Sequence, residues 1–181
     1  SDIGPANAIT DDLMFYFFKK NFDRNGNITS KGKKNIKIFE LYKKNSFFKK
    51  TFPKSLDRNN FHYLFKKLKK LRPHDALNTS SNFTIHSIIK LIDHKICENI
   101  NEFILTGGGR KNRYILNSLR NLRKDIKFSI IDDYKFNGDL LEAQMFAYIG
   151  VRSIKKLIIS SKSTTGVKKS ISGGKLYKFN Y

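Results

Sequence analysis

Apolar residues recur at three- and four-residue steps through most of the first hundred positions, the period of helices with one buried face. Ile9, Leu13, Tyr16 and Phe17 predict a helix over about 7–20, with Asn7 as its candidate N-cap. Thr29 or Ser30 is expected to cap a second helix running to about Tyr42, with Ile36 and Phe39 inward and Leu41 a further candidate. Asn59-Asn60 opens a third, carrying Phe61, Leu64, Phe65 and Leu68 on one face and Lys66, Lys67, Lys69 and Lys70 on the other. Pro73 is expected to end it. Thr79 to Ser81 offer caps for a long helix to about Asn99, whose stripe is Phe83, Ile85, Ile88, Ile89, Ile92 and Ile96.

The pattern changes after residue 100. Phe103 to Thr106 reads as a short strand that runs straight into Gly107-Gly108-Gly109. A helix over about Asn112–Leu122 follows, with Ile115, Leu116 and Leu119 inward, then a strand over Phe128–Ile131. A last helix over about Asp139–Leu157 is expected to bury Leu140 or Leu141, Phe146, Ala147, Ile149 or Gly150, and Ile154. This β-α-β-α order predicts an α/β domain with neighbouring parallel strands, helix-rich overall. The Ser-, Thr-, Gly- and Lys-rich stretch from about 158 to 181 is expected to be an extended tail of the same domain, closing in a short extended piece over 175–179. There is no internal repeat, and no apolar stretch approaches a membrane span, so no membrane partner is expected.

Charge complicates this picture. The formal net charge is +21, which ordinarily points to nucleic acid or an anionic surface. Here lysine heavily outnumbers arginine, and the basic pairs (Lys19-Lys20, Lys43-Lys44, Lys66-Lys67, Lys168-Lys169 among them) are spread along the chain. The abundance of Lys, Asn, Ile and Phe is a bias typical of AT-rich coding sequence. The aromatics of Phe15-Tyr16-Phe17-Phe18 and Phe47-Phe48 read as core beside a solvated lysine face. No specific nucleic-acid partner is expected, and a basic nucleic-acid-binding domain is kept as an alternative. The single cysteine, Cys97, excludes an intrachain disulfide and reads as a buried thiol in a reducing compartment. No positively charged start followed by an apolar stretch marks a signal peptide. The chain opens on Ser within a motif, so it is expected to be part of a longer protein.

Two segments carry candidate chemistry. Asp2 stands just before Gly4-Pro5, where glycine permits close backbone approach and proline fixes φ for a first helical turn. A carboxylate beside the free N–H groups of a helix start suits phosphate handling or proton abstraction; an ordinary strand-to-helix turn is the alternative. Asp11 and Asp12 read as solvated acids of the first helical turn. Gly107-Gly108-Gly109, between a buried strand and a helix, would let backbone approach a nucleotide closely, or form a simple tight turn. It matches neither Gly-x-Gly-x-x-Gly nor a Walker A loop. Asp23-Arg24-Asn25-Gly26-Asn27 lacks the glycine and glutamate positions of a calcium loop, and His86 and His94 have no third ligand in sight, so no metal site is expected.

Several pieces resemble the anhydro-N-acetylmuramic acid kinases. Asp2-Ile3-Gly4-Pro5-Ala6-Asn7-Ala8 resembles that family's Asp-Thr-Gly-Pro-Gly-Asn-x, and Pro53-Lys54-Ser55-x-x-Arg58-x-x-Phe61 its Pro-Lys-Ser-Thr-Gly-Arg-x-x-Phe. Thr106 to Asn112 resembles Cys-Gly-Gly-Gly-x-x-Asn, and Gly138-Asp139-x-x-Glu142-Ala143-x-x-Phe146-Ala147, followed by Arg152, resembles Gly-Asp-x-x-Glu-Ala-x-Ala-Phe-Ala. Ser163-Thr164-Thr165-Gly166 and Gly174-Lys175-Leu176-Tyr177 resemble the closing Ser-Val-Thr-Gly and Gly-x-Ile-Tyr. The pieces are collinear over residues 1–181 and correspond to the C-terminal half of the family's sequence; its Gly-Thr-Ser-x-Asp-Gly phosphate motif is absent from this chain.

The resemblance implies the C-terminal lobe of an actin-like ATPase (ribonuclease H-like) fold. It implies a cytoplasmic enzyme, a homodimer at full length, that uses ATP and Mg2+ to open the ring of 1,6-anhydro-N-acetylmuramic acid and phosphorylate it in peptidoglycan recycling. Asp2 is implied as the general base, with Gly4, Asn7, Lys54, Ser55 and Arg58 toward the sugar. Gly107, Gly108, Gly109, Asn112 and Glu142 are implied toward the nucleotide, although Glu142 alone reads equally as a loop cap. A loop anchor at Ser55 and a structural ion pair at Arg58 are the alternatives there. Ala6 stands for the family's glycine, Leu56-Asp57 for Thr-Gly, Asn82 for a common Glu, and Ile159 to Lys162 for Pro-Gly-Asn-Leu-Pro. A non-catalytic binding relative is the alternative these departures raise, and the chain alone is expected to be inactive.

Overall fold

The computed structural model describes residues 1–177. Helix α1 (Ala8–Phe18) follows Asn7, which occupies the N-cap without capping through its side chain, and Lys19 closes it in the left-handed conformation. Ile9 and Leu13 are buried, as the spacing predicts, and Met14 joins them, while Phe15 and Tyr16 are exposed at 60% and 47% against the expectation of core.

The second predicted helix starts later than expected. Thr29–Lys31 forms only a 3-10 turn. Gly32 then lies against the backbone of His74, where an added Cβ would sit 2.0 Å from the carbonyl oxygen. Lys33 N donates to Asp75 Oδ1 at 2.7 Å, which holds the chain extended until Asn35 caps α2 (Ile36–Lys43) by accepting from Ile38 N. Ile38 and Tyr42 therefore point inward, and Ile36 and Leu41 are exposed.

Helix α3 (His62–Leu68) buries Leu64 and Leu68, with Phe61 buried at its N-cap, and leaves its lysines outside, as expected. Pro73 does not simply end it; its fixed φ opens α4 (Pro73–Ile92). Thr79, Ser80 and Ser81 lie buried inside α4 instead of capping it. Thr79 accepts from Asn35 N at 2.8 Å, Ser80 bonds Thr10 at 2.8 Å, and Ser81 bonds Thr29 at 3.4 Å. Small hydroxyl side chains let α1, α2 and the 29–31 turn approach α4 closely and still satisfy their buried polar groups. Helix α4 ends at Ile92, and His94 caps a 3-10 turn in which Cys97 is buried and Ile96 is exposed.

α4 divides two cores. On one side α1, α2 and α3 enclose an aromatic cluster in which the Tyr42 and Phe83 rings stack at 4.3 Å, with Phe47 and Phe61 against them. On the other, Ile85 and Ile92 meet Ile115, Leu119 and Phe128. The second core holds a two-stranded parallel sheet, β1 (Glu102–Leu105) and β2 (Lys127–Ile130), paired from Glu102↔Lys127 to Leu105↔Ile130. Helix α5 (Arg113–Leu122) links the strands. The fold is thus helix-rich α/β with a small parallel sheet, as the element order predicts.

Helix α6 (Leu141–Ile154) departs most from expectation: none of its residues is buried, and Phe146 and Ile154 are exposed at 61% and 64%. Beyond it, Ser160 and Ile171 form an antiparallel bridge around the short helix α7 (Lys162–Thr165). Residues 175–177 join no strand, and the rest of the expected extended piece lies outside the described residues. No helix among the described residues is long and apolar enough to cross a membrane.

Candidate functional site

Asp2 sits where the first residues run against the 53–56 loop. Its N–H donates to Lys54 O at 2.9 Å, and its Oδ2 accepts from Leu56 N at 2.7 Å. Ser1 reinforces the pairing, donating to Lys54 O and accepting from Lys54 N. The carboxylate is thereby fixed at the wall of a cleft of about 280 Å³, lined by Ser1, Asp2, Pro53, Lys54, Ser55, Thr164 and Thr165.

Residues 4–7 turn from this cleft into α1. A Cβ on Gly4 would stand 2.2 Å from Ser87 Oγ and 2.9 Å from Tyr42 Oη, so only glycine lets this segment lie on α4. Gly4→Ala is expected to lose about 1–3 kcal/mol by overpacking, read as a lowered urea midpoint; an unchanged midpoint would show that the contact relaxes freely. Ala6, in place of the resembled glycine, keeps the left-handed conformation at φ 47°. Its carbonyl accepts from Thr84 Oγ1 at 2.6 Å, a tertiary bond that holds the strained turn in place. The next side chain, Asn7, faces Gly109, whose Cβ would lie 3.4 Å from Asn7 Nδ2. This segment therefore connects the Asp2 cleft to the glycine loop.

The glycine loop leaves β1 through Gly107, whose φ of +69° favours glycine, and passes through a 3-10 turn (Gly108–Lys111) into α5. A Cβ on Gly107 or Gly108 would meet nothing within 4 Å, so both expose bare backbone to open space. That space is a cleft of about 420 Å³ bounded by Thr106, Gly107, Gly108, Gly138, Asp139, Leu141, Glu142 and Met145.

Arg110 fixes the two walls of this cleft. Only 4% exposed, it donates from Nε and Nη2 to Asp132 (2.5 and 3.1 Å) and from Nη1 to Asp139 and Gly107 O (both 2.9 Å). Gly138 makes room for it, since a Cβ there would sit 2.4 Å from Arg110 Nε. Lys111 adds a bond to Asp139 at 2.6 Å. Arg110 and Lys111 hold the Asp139 carboxyl down at about 2, and Arg110 likewise lowers Asp132.

The other predicted residues divide. Ser55, Gly107, Gly108 and Glu142 line the two clefts. Gly109 packs on Asn7, and buried Asn112 accepts from Tyr114 N and Ile115 N as the cap of α5. Lys54 borders the Asp2 cleft, but its ammonium donates to Phe47 O and lies 4.4 Å over the Phe47 ring and 4.6 Å over Phe52. Burial, with Lys90 and Lys50 nearby, lowers its pKa. Arg58 begins a 3-10 turn (Arg58–Phe61), and its side chain lies outside the described residues. Asp11 and Asp12 are half-buried, contrary to the solvated reading. Among the described residues no three His, Cys, Asp or Glu gather to hold a metal.

Sequence reasoning missed Arg110, Asp132 and Asp139 as a unit, and Thr164 and Thr165 as neighbours of Asp2. For the threonines a signal existed in Gly166, which ends α7 at φ +76° and would carry a Cβ 2.9 Å from Pro53.

Comparison with known proteins places the sequence in a family. The sequence profile for anhydro-N-acetylmuramic acid kinase matches residues 1–179. A Pelagibacter ubique protein of that name is 38% identical across 99% of this chain and 48% of its own length. Relatives of the same name from Roseobacter denitrificans (33%) and Rhodopseudomonas palustris (34%) align over 97% of this chain and 46% and 47% of themselves. The chain spans about half the length of the curated relatives it matches, and with a profile matched along nearly all of it, it belongs to the anhydro-N-acetylmuramic acid kinase family.

Proposed function

We propose that this chain supplies the C-terminal half of an ATP-dependent kinase that opens 1,6-anhydro-N-acetylmuramic acid and yields N-acetylmuramic acid 6-phosphate. The half is read as the C-terminal lobe of an actin-like ATPase fold, and the full-length protein as a cytoplasmic homodimer. The observation that carries the reading is the placement of Asp2: its carboxylate is held at a cleft wall beside Ser55, Thr164 and Thr165, on a segment whose Asn7 packs against Gly109 of the glycine loop.

The chemistry asks each residue for a different contribution. Asp2 accepts a proton from the water whose oxygen attacks the anomeric carbon. The bond from that carbon to the bridging oxygen breaks, and the freed 6-oxygen takes the γ-phosphoryl group as ADP departs. Ser55 offers a hydroxyl to orient the sugar, Thr164 and Thr165 shape the same wall with hydroxyls bonded to Ser161 and Ser160, and the open backbone of Gly107 and Gly108 suits close approach of the adenosine of ATP. Glu142 stands at the rim of that cleft, within reach of the nucleotide's polar groups in this reading. Mg2+, bound with ATP, supplies charge neutralisation for the phosphates, which provide many of its ligands in such sites.

Assay of the full-length protein with ATP and 1,6-anhydro-N-acetylmuramic acid tests the reading. Formation of the 6-phosphate sugar and ADP is expected from the full-length protein and not from residues 1–181 alone, because phosphoryl transfer depends on positioning by both sides of a cleft. A folded full-length protein that binds the sugar without turning it over would favour a non-catalytic relative.

A further inference from the structure

We propose that the apolar surface of α6 is the docking site for the half of the full-length protein that this chain does not span. The proposal rests on the half-length match to the relatives and not on the kinase reading.

The helix is apolar on most of its circumference and covered on little of it. Ile149, Arg152 and Ser153 are half-buried on the side of the tail, where Arg152 Nε donates to Ile158 O at 2.8 Å and Ser153 lies beside Gly174. Met145, on that same side one turn earlier, and Phe146, Tyr148, Val151 and Ile154 around the rest of the helix are exposed at between 48% and 64%. A helix this apolar all round belongs in an interior, and so much contiguous apolar surface on a monomer marks an interface.

What covers it follows from shape, position and length. Successive residues turn about 100° around a helix, so these five side chains spread over more than one flat face. A two-fold copy of the same surface presents one patch to one patch and leaves part of this spread wet. A chain segment folding around α6 covers all of it, and more than half of the length of each relative lies outside the matched region. The first two turns of α6 also supply Leu141, Glu142 and Met145 to the glycine-loop cleft. A body seated on α6 would stand directly beside that cleft and complete its open side.

Thiol labelling of the full-length protein reads this directly. Phe146→Cys and, separately, Ile154→Cys are compared with Phe22→Cys, which replaces another exposed aromatic, and with the parent carrying its buried Cys97. Labelling at positions 146 and 154 is expected to be about 100-fold slower than at 22, the protection of a site that reacts only on local opening, at every protein concentration. Rates equal to position 22 overturn the proposal. So does protection that appears only as concentration rises, which would assign the surface to a second copy. Turnover measured on the same samples separates the two readings: covered cysteines without turnover leave the docking intact and count against the kinase, and turnover with uncovered cysteines does the reverse.

Discussion

In the full-length protein, Asp2→Asn is expected to lower turnover about 10²–10⁴-fold while leaving the KM for ATP within a few-fold of the parent. The substitution isolates chemistry from structure because of how Asp2 is held. One carboxylate oxygen accepts from Leu56 N at 2.7 Å, and an asparagine carboxamide oxygen can accept the same bond. The backbone bond from Asp2 N to Lys54 O does not involve the side chain at all. Asparagine therefore keeps the 53–56 loop in place and removes the proton acceptor. Asp2→Ala removes both, so it should add a rise in sugar KM to the same loss of turnover. Steady-state kinetics of the two variants make the comparison. If Asp2→Asn kept near-normal turnover and only Asp2→Ala failed, Asp2 would be a loop anchor and the general base would lie elsewhere.

The sequence made some of this legible and hid the rest for physical reasons. Elements with one buried face and local caps were readable: α1, α5 and both strands fall within a few residues of where periodicity puts them. Errors gathered where tertiary contacts override local signals. Thr79, Ser80 and Ser81 resemble caps, yet they satisfy α1, α2 and the 29–31 turn from the interior of α4. The chain stays extended ahead of α2 because Gly32 and Lys33 meet His74 and Asp75, more than forty residues away. The apolar pattern of α6 was read as buried within this domain, and the structure overturns that: none of its residues is buried, because no element among the described residues packs over it. In the candidate site, the motif glycines were found where backbone must be bare or tightly packed. The clamp was not, since Arg110 joins partners 22 and 29 positions further on and no local pattern announces such pairing.

That clamp carries the second large effect. Arg110→Met keeps an apolar stem of similar length and removes every bond that ties Gly107, Asp132 and Asp139 together. Loss of these charge-assisted bonds from a buried guanidinium is expected to cost about 2–3 kcal/mol. The figure stays below that for a sealed ion pair because both aspartates are exposed and regain water when the arginine leaves. The pH dependence identifies the source. Asp139 titrates at about 2 in the folded protein against an ordinary 3.8, so its share of the stability is full above 3.8 and disappears as pH falls toward 2. Urea melts at stepped pH should thus show the parent's advantage over Arg110→Met shrinking across that window, and a constant gap would assign the loss to packing instead. In the full-length enzyme the same variant frees the glycine loop from the start of α6 and is expected to raise the KM for ATP about tenfold, with a smaller change in kcat, since it disturbs binding geometry more than the reacting groups. Unchanged ATP KM in a measurably destabilised variant would reduce Arg110 to a strut of the glycine-loop cleft, with no part in ATP binding.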